Sequence, residues 1–299
     1  MGKLGNMIRR NVQLFFKDKG MFFCSLITPL ILLVLYATFL AKVYRDSFAG
    51  AVPAGFAIDP ALIDATVGGQ LISSLLAVSC VTVAFCSNLL MVQDKVSGAV
   101  RDLTVSPLRH STMALSYYIA SALSTLIISL TALGISSLYL WKMGWYMSGT
   151  DVLLMLLDVV LLTLFGVGLS SCVNFPLKTA GQASAVGTIV SASYGFICGA
   201  YMPISNFSSG LQTALSFLPG TYGTSLLRNH ALAGVFREME RIGFPAEIID
   251  GIRGSIDCSL TFFDHPVSVG AMYAALAGAV LLCIGIYVLL NMRRTAARR

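Results

Sequence analysis

The sequence predicts an all-α membrane protein. It has six transmembrane helices, an N-terminal amphipathic helix in the membrane interface, an outer re-entrant helical segment, and both termini in the cytoplasm. Three observations carry this prediction. Of 299 residues, 56% are hydrophobic and only 11% are charged, where a soluble domain carries about 25% charged residues. The apolar residues lie in long continuous runs, not in the alternation of a barrel strand, so helices must satisfy the backbone in lipid. The basic residues are unequally shared between the segments that separate those runs, and this orients them.

Residues 3–19 form the first unit. Leu4, Ile8, Val12 and Phe15 recur at helical spacing, with Lys3, Asn6, Arg10, Gln13 and Lys17 on the opposite face. The pattern predicts a helix in the inner headgroup region with its cations toward anionic lipid. The next apolar run, 21–41, is too long for a signal-peptide core and reads as a retained first span. Pro29 predicts a kink in it. The later spans are 68–92, 113–140, 152–173, 181–203 and 268–291, each matching the roughly 20 apolar residues a bilayer requires. An insert, 204–267, separates the last two. Within it, 207–233 is apolar but broken by Pro219, Gly220 and Gly223, which predicts a helix–break–helix element that re-enters the membrane. No internal repeat or polar linker divides the chain, so it reads as one membrane domain.

With the N-terminus inside, the inner segments hold thirteen basic residues against three acids. The outer segments hold seven basic residues against ten acids. The reverse orientation would put the basic surplus outside, against the rule that inner loops are rich in Lys and Arg. The basic balance therefore points to a membrane surface and not to nucleic acid.

The chain lacks G-x-x-x-x-G-K-[ST] and H-E-x-x-H, and its seven cysteines form no C-x-x-C pair. No phosphate-cradling loop or metal-ligand set is legible, so the chain is expected to bind no cofactor and to do no covalent chemistry. Two other readings compete. One is a polytopic membrane enzyme modifying lipid or glycan, for which His230, His265 and Asp264 are the outer candidates. The other is a membrane sensor or immunity protein. Asp158 lies inside the fourth span, where an acid is a candidate for a transport path or for local pairing. Gly195 and Gly199 form G-x-x-x-G in the fifth span, which permits close helix packing within the chain or between copies.

The loop between the second and third spans, residues 93–111, reads QDKVSGAVRDLTVSPLRHS. A short segment bearing both charge signs on an inner face suits a docking partner, because charged rims fix register; a solvated connector is the plainer alternative. The loop resembles the intracellular segment of type-2 ABC exporter permeases, whose drug, polysaccharide and teichoic-acid branches share the pattern E-R-x-x-G-T-hydrophobic-E-x-L-x-x-[ST]-P. Asp94, Lys95, Gly98, Val100, Leu103, Ser106 and Pro107 stand at matching positions. Arg101 replaces the usual Glu, Asp102 follows it, and Ala99 replaces Thr. A second stretch agrees: Gly199, Pro203, Pro219, Tyr222 and Arg228 follow the order in which such permeases close the fifth span and build a broken outer segment.

The resemblance implies a concrete machine. Two permease protomers, identical or related, would pair in the plasma membrane. Each would dock on a separate ABC ATPase subunit that binds ATP and Mg. The coupling residues would be Asp94, Lys95, Gly98, Arg101, Asp102 and Pro107. Pro203, Pro219, Tyr222 and Arg228, together with Asp158, would lie on an outward path or outer gate for an amphiphilic substrate. A chain without a phosphate-binding loop needs such an energy source in a partner.

Overall fold

The computed structural model describes residues 2–51, 59–105, 110–263 and 265–296. The described chain is almost entirely helical. Five helices are long and apolar enough to cross a membrane: Lys19–Asp46, Pro60–Val96, Ser111–Lys142, Gly149–Asn174 and Val269–Arg293. This is the all-α membrane protein that the composition predicts.

Helix α1 (Lys3–Lys17) is amphipathic, but its buried stripe is Met7, Asn11 and Phe15, with Leu4, Ile8 and Val12 half-buried beside it. The face is centred one residue away from the predicted one because Asn11 packs inward. Asp18 then caps α2 (Lys19–Leu35) by accepting the Met21 N–H at 3.0 Å. The helix runs through Pro29, and a π-helical turn follows at Tyr36–Leu40. Helix α3 (Ala41–Ala51) carries the same rod past Lys42, Arg45 and Asp46.

Helix α4 (Pro60–Asn88) starts well before the predicted residue 68. Asp59 caps it through the Ala61 N–H at 2.9 Å, and Pro60 occupies the first turn, where a missing N–H costs nothing. It is the core of the molecule, packed against α2 and four helices still to come. Short helices α5 (Leu90–Val96) and α6 (Ala99–Val105) follow, then α7 (His110–Met143) and α8 (Gly149–Asn174). Ser148 and Asp151 form a reciprocal capping box at the start of α8. Where α8 crosses α4, a Cβ on Gly166 would stand 2.8 Å from the Cys80 carbonyl oxygen. The close approach requires glycine.

The predicted fifth span is α9 (Ala180–Ile197), which at 18 residues is shorter than the other five and is not among the helices long and apolar enough to cross a membrane. It ends because Gly199 takes φ +75° and the chain doubles back, with the N–H groups of Ala200 and Tyr201 both donating to Gly195 O. A Cβ on Gly195 would strike the Tyr201 ring. The G-x-x-x-G spacing thus serves a turn within the chain.

A helix–break–helix follows as predicted, made of α10 (Ser209–Leu215) and α11 (Pro219–Arg241). The second helix continues past Ala233 and is deeply buried against α4, α8 and α13. It runs antiparallel to α8: Arg237 pairs with Asp151, His230 with Asp158, and Gly223 packs on Leu162. Its first turn therefore lies deep in the bundle. Helix α12 (Ala246–Ser255) covers α11 through Ile249 and Ile252. A two-residue antiparallel ladder joins β1 (Thr261–Phe262) to β2 (His265–Pro266). Helix α13 (Val269–Ala296) runs parallel to α8 and brings Tyr287 into a cluster with Met7 and Phe15 of α1. The described N- and C-terminal helices thus share one end of the bundle, called here the α1 face.

Candidate functional site

At the α1 face, one carboxylate joins three helices. Asp94 on α5 accepts Arg10 Nη1 at 2.7 Å and the Tyr117 hydroxyl at 2.5 Å on Oδ2, and Arg10 Nη2 at 3.1 Å on Oδ1. This is a two-pronged guanidinium–carboxylate pair, and it pushes the Arg10 side chain further above its usual pKa. Arg10 also donates to Asn11 Oδ1 at 2.9 Å, and Asn11 Nδ2 donates to Ser116 Oγ of α7 at 3.4 Å. Arg10, predicted to face lipid headgroups with the other α1 cations, is turned inward because Asp94 is there to receive it.

The neighbouring cation makes a second tether. Lys95 Nζ donates to the carbonyls of Phe175 at 2.7 Å, Asn174 at 3.3 Å and Leu177 at 3.4 Å, and lies 5.4 Å from the centre of the Phe175 ring. These carbonyls close the C-terminal end of α8, where helical acceptors lack intrahelical partners and the dipole favours a cation. Gly98 at φ +83° then turns the chain into α6. Val100 and Leu103 of α6 pack under it on the Met7–Phe15–Met113 cluster, while Arg101 and Asp102 are exposed. Pro107 lies outside the described residues.

Toward the other end, Arg228 is 1% exposed. Its Nη1 donates to Asp257 Oδ2 and to Ile256 O, each at 3.0 Å; its Nη2 donates to Ser74 Oγ at 3.3 Å and to Gly199 O. Asp257, at φ 55°, also accepts the N–H of Ile204 at 2.7 Å and of Ser205 at 3.2 Å. The predicted gate cation is therefore a buried clamp that holds the 199–205 turn and the 256–257 turn against α4 and α11. Tyr222 is buried as well, its hydroxyl donating to Ser216 O at 2.5 Å across the α10–α11 break that Pro219 ends.

Asp158 is fully buried, so it pairs locally and does not reach solvent. Its Oδ1 accepts the Tyr273 hydroxyl at 2.6 Å, and its Oδ2 lies 2.6 Å from His230 Nδ1. His230, read from sequence as an outer candidate of the membrane-enzyme reading, is part of this node. Asp264 lies outside the described residues, and no group of three or more potential metal ligands forms among the described ones.

A groove of about 1260 Å³ runs over α4 between α2 and α9. Ile27 and Ile31 of α2, Gln70 of α4, and Thr188 and Ser191 of α9 stand in its wall, with Pro203 near one end. Among the described residues lining it, none is Asp, Glu, Lys, Arg or His. Of the predicted path residues, Pro203 alone reaches it.

Residues 3–231 match the family described as ABC-2 type transporter. The chain belongs to that family. It is a transport protein of the membrane, and the match takes in α1, the α5–α6 segment, the groove helices and most of α11. Comparison with curated proteins yields no match. In this ABC-2 transporter, sequence reasoning located the α5–α6 segment by its motif but missed what Asp94 and Lys95 hold. Their partners Arg10, Tyr117 and the end of α8 are distant in sequence. Tyr273 and Asp257 were missed because nothing local marks either one. The φ > 0 of Asp257 is one that Asp tolerates better than most residues, and only the fold reveals it.

Proposed function

We propose that this chain is the membrane-spanning permease subunit of an ABC exporter. It moves an amphiphilic substrate outward, driven by ATP hydrolysis on a separate subunit that holds the ATP and Mg. The observation that carries the reading is the double tether at the α1 face. Asp94 grips α1 and α7, and Lys95 grips the end of α8. A push on the exposed Arg101–Asp102 edge of α6 would therefore reach three membrane helices at once. Asp94, Lys95 and Gly98 transmit the movement, and Arg101 and Asp102 meet the ATPase.

The rest of the architecture follows from this placement. The α1 face is cytoplasmic, in keeping with its basic surplus, and both termini lie there in the plasma membrane. Helix α9, at 18 residues, is about 27 Å long at helical rise and serves as the sixth span beside the five longer ones. The pair α10–α11 is the re-entrant element, and Arg228 with Asp257 fixes it. A second permease copy closes the open side of the groove, making a shared path.

Affinity purification in mild detergent tests the reading. A P-loop ATPase should co-purify, and Arg101→Glu with Asp102→Lys should release it while the permease stays folded. If no such ATPase is recovered and export persists without one, the reading fails.

A further inference from the structure

We infer that the groove takes an uncharged amphiphile whose carbonyl or hydroxyl hydrogen-bonds the side-chain amide of Gln70, and that it rejects phosphate-bearing lipids. This names the substrate class for the permease reading above and rests on it. Gln70 is 3% exposed and stands in the groove wall, yet neither its Nε2 nor its Oε1 makes a hydrogen bond. Its polar neighbour is the Tyr44 hydroxyl, outside hydrogen-bonding geometry. Buried polar groups are nearly always paired, and each exception needs a reason. Asn174 and Thr163 also carry unpaired atoms, but they are wholly enclosed and line no part of the groove. An amide offers both a donor and an acceptor, so it suits a carbonyl, a hydroxyl or another amide.

A second irregularity lies against the same spot. The π-helical turn Tyr36–Leu40 places Phe39 and Leu40 in the groove wall, and its Tyr36 hydroxyl donates to Val67 O, one turn from Gln70. Such turns concentrate at functional positions, and two departures from local rules in one wall mark a site. Among the described residues the lining carries no charge to meet an ion, so a phosphate entering it would lose its hydration without a counter-charge there. The volume exceeds the roughly 300–1,000 Å³ of ordinary small-molecule sites, so a bulky amphiphile fits.

The test uses the full-length permease in nanodiscs and three diazirine probes: N-dodecylacetamide, dodecyl phosphate and dodecane. The amide probe should label α2 and α9 peptides about tenfold more than the other two, the effect of one or two hydrogen bonds. Gln70→Leu should reduce it to the dodecane level with unchanged melting. If Gln70→Leu does not fold, competition on the natural chain decides, with unlabelled amide displacing its probe and dodecyl phosphate failing to. Equal labelling by the phosphate probe overturns the inference. So does an unchanged pattern in folded Gln70→Leu, or protection of both peptides from every probe by a second copy. The labelling needs no ATPase, so its failure is distinguishable from failure of the permease reading.

Discussion

Arg228 gathers two carbonyls, a hydroxyl and a carboxylate from α4 and two turns far apart in sequence. A lysine offers one compact charge and cannot divide its donors along two prongs. Arg228→Lys is therefore expected to destabilise nearly as much as Arg228→Met, by roughly 3–5 kcal/mol, because both leave Asp257 buried and underpaired. Thermal unfolding of the detergent-purified protein measures this, and a lysine variant melting like the natural protein would refute the geometric argument. The pair Arg10–Asp94 differs, since Arg10 is about one-third exposed. Asp94→Asn should cost only about 1 kcal/mol of stability while uncoupling transport from ATP hydrolysis in the reconstituted complex. Preserved coupling in that variant would show that the tether is structural only. Sequence reading singled out Arg228 and Asp94 by residue type and position. It could not supply their partners, because Asp257 and Arg10 are joined to them only by tertiary folding.

Helices were legible where hydropathy alone decides them. The cores of α2, α7, α8 and α13 fall where the apolar runs predict, whereas the start of α4 does not. Its first residues, from Pro60 to Val67, include Asp64 and read as loop, but α11 and α3 pack against them and extend the helix. Helix α1 was legible as amphipathic, yet the place of its buried stripe depends on Asn11 finding Ser116. Packing between helices is the part that sequence hides most. Gly166→Leu at the α4–α8 crossing should lower stability by about 1–3 kcal/mol or more through overpacking. Gly278→Ala on α13, where an added Cβ meets nothing within 4 Å, should instead raise it by about 0.5–1 kcal/mol, because alanine restricts the unfolded chain and suits a helix better than glycine. Parallel melting curves of the two variants decide whether that crossing is as tight as described.

For the molecule as a whole, the proposed orientation rests on charge and on the shared end of α1 and α13. In a cysteine-free background, a cysteine at Asp250 should react with a membrane-impermeant maleimide in intact cells. One at Gln13 should react only after permeabilisation. The opposite pattern would invert the proposed topology, and labelling at both sites would break the even span count. Charge asymmetry is what lets the sequence propose this level of organisation, since it is a sum over many residues and tolerates errors at any one of them. The groove was not readable in that way, because its walls are assembled from α2, α4 and α9 at separations no motif records.

The node of Asp158, His230 and Tyr273 bears on how the protein is made. Its partners are 72 and 115 residues further along the chain, so the ribosome delivers α8 long before either of them. The nascent helix then carries an acid at a depth where insertion costs about 2.5–3.5 kcal/mol, with nothing yet to receive it. The newborn bundle can close around that acid only when α11 and then α13 have emerged. A stalled or truncated chain that lacks α13 would still hold every groove helix, yet would present quality control with an open polar seam along α8.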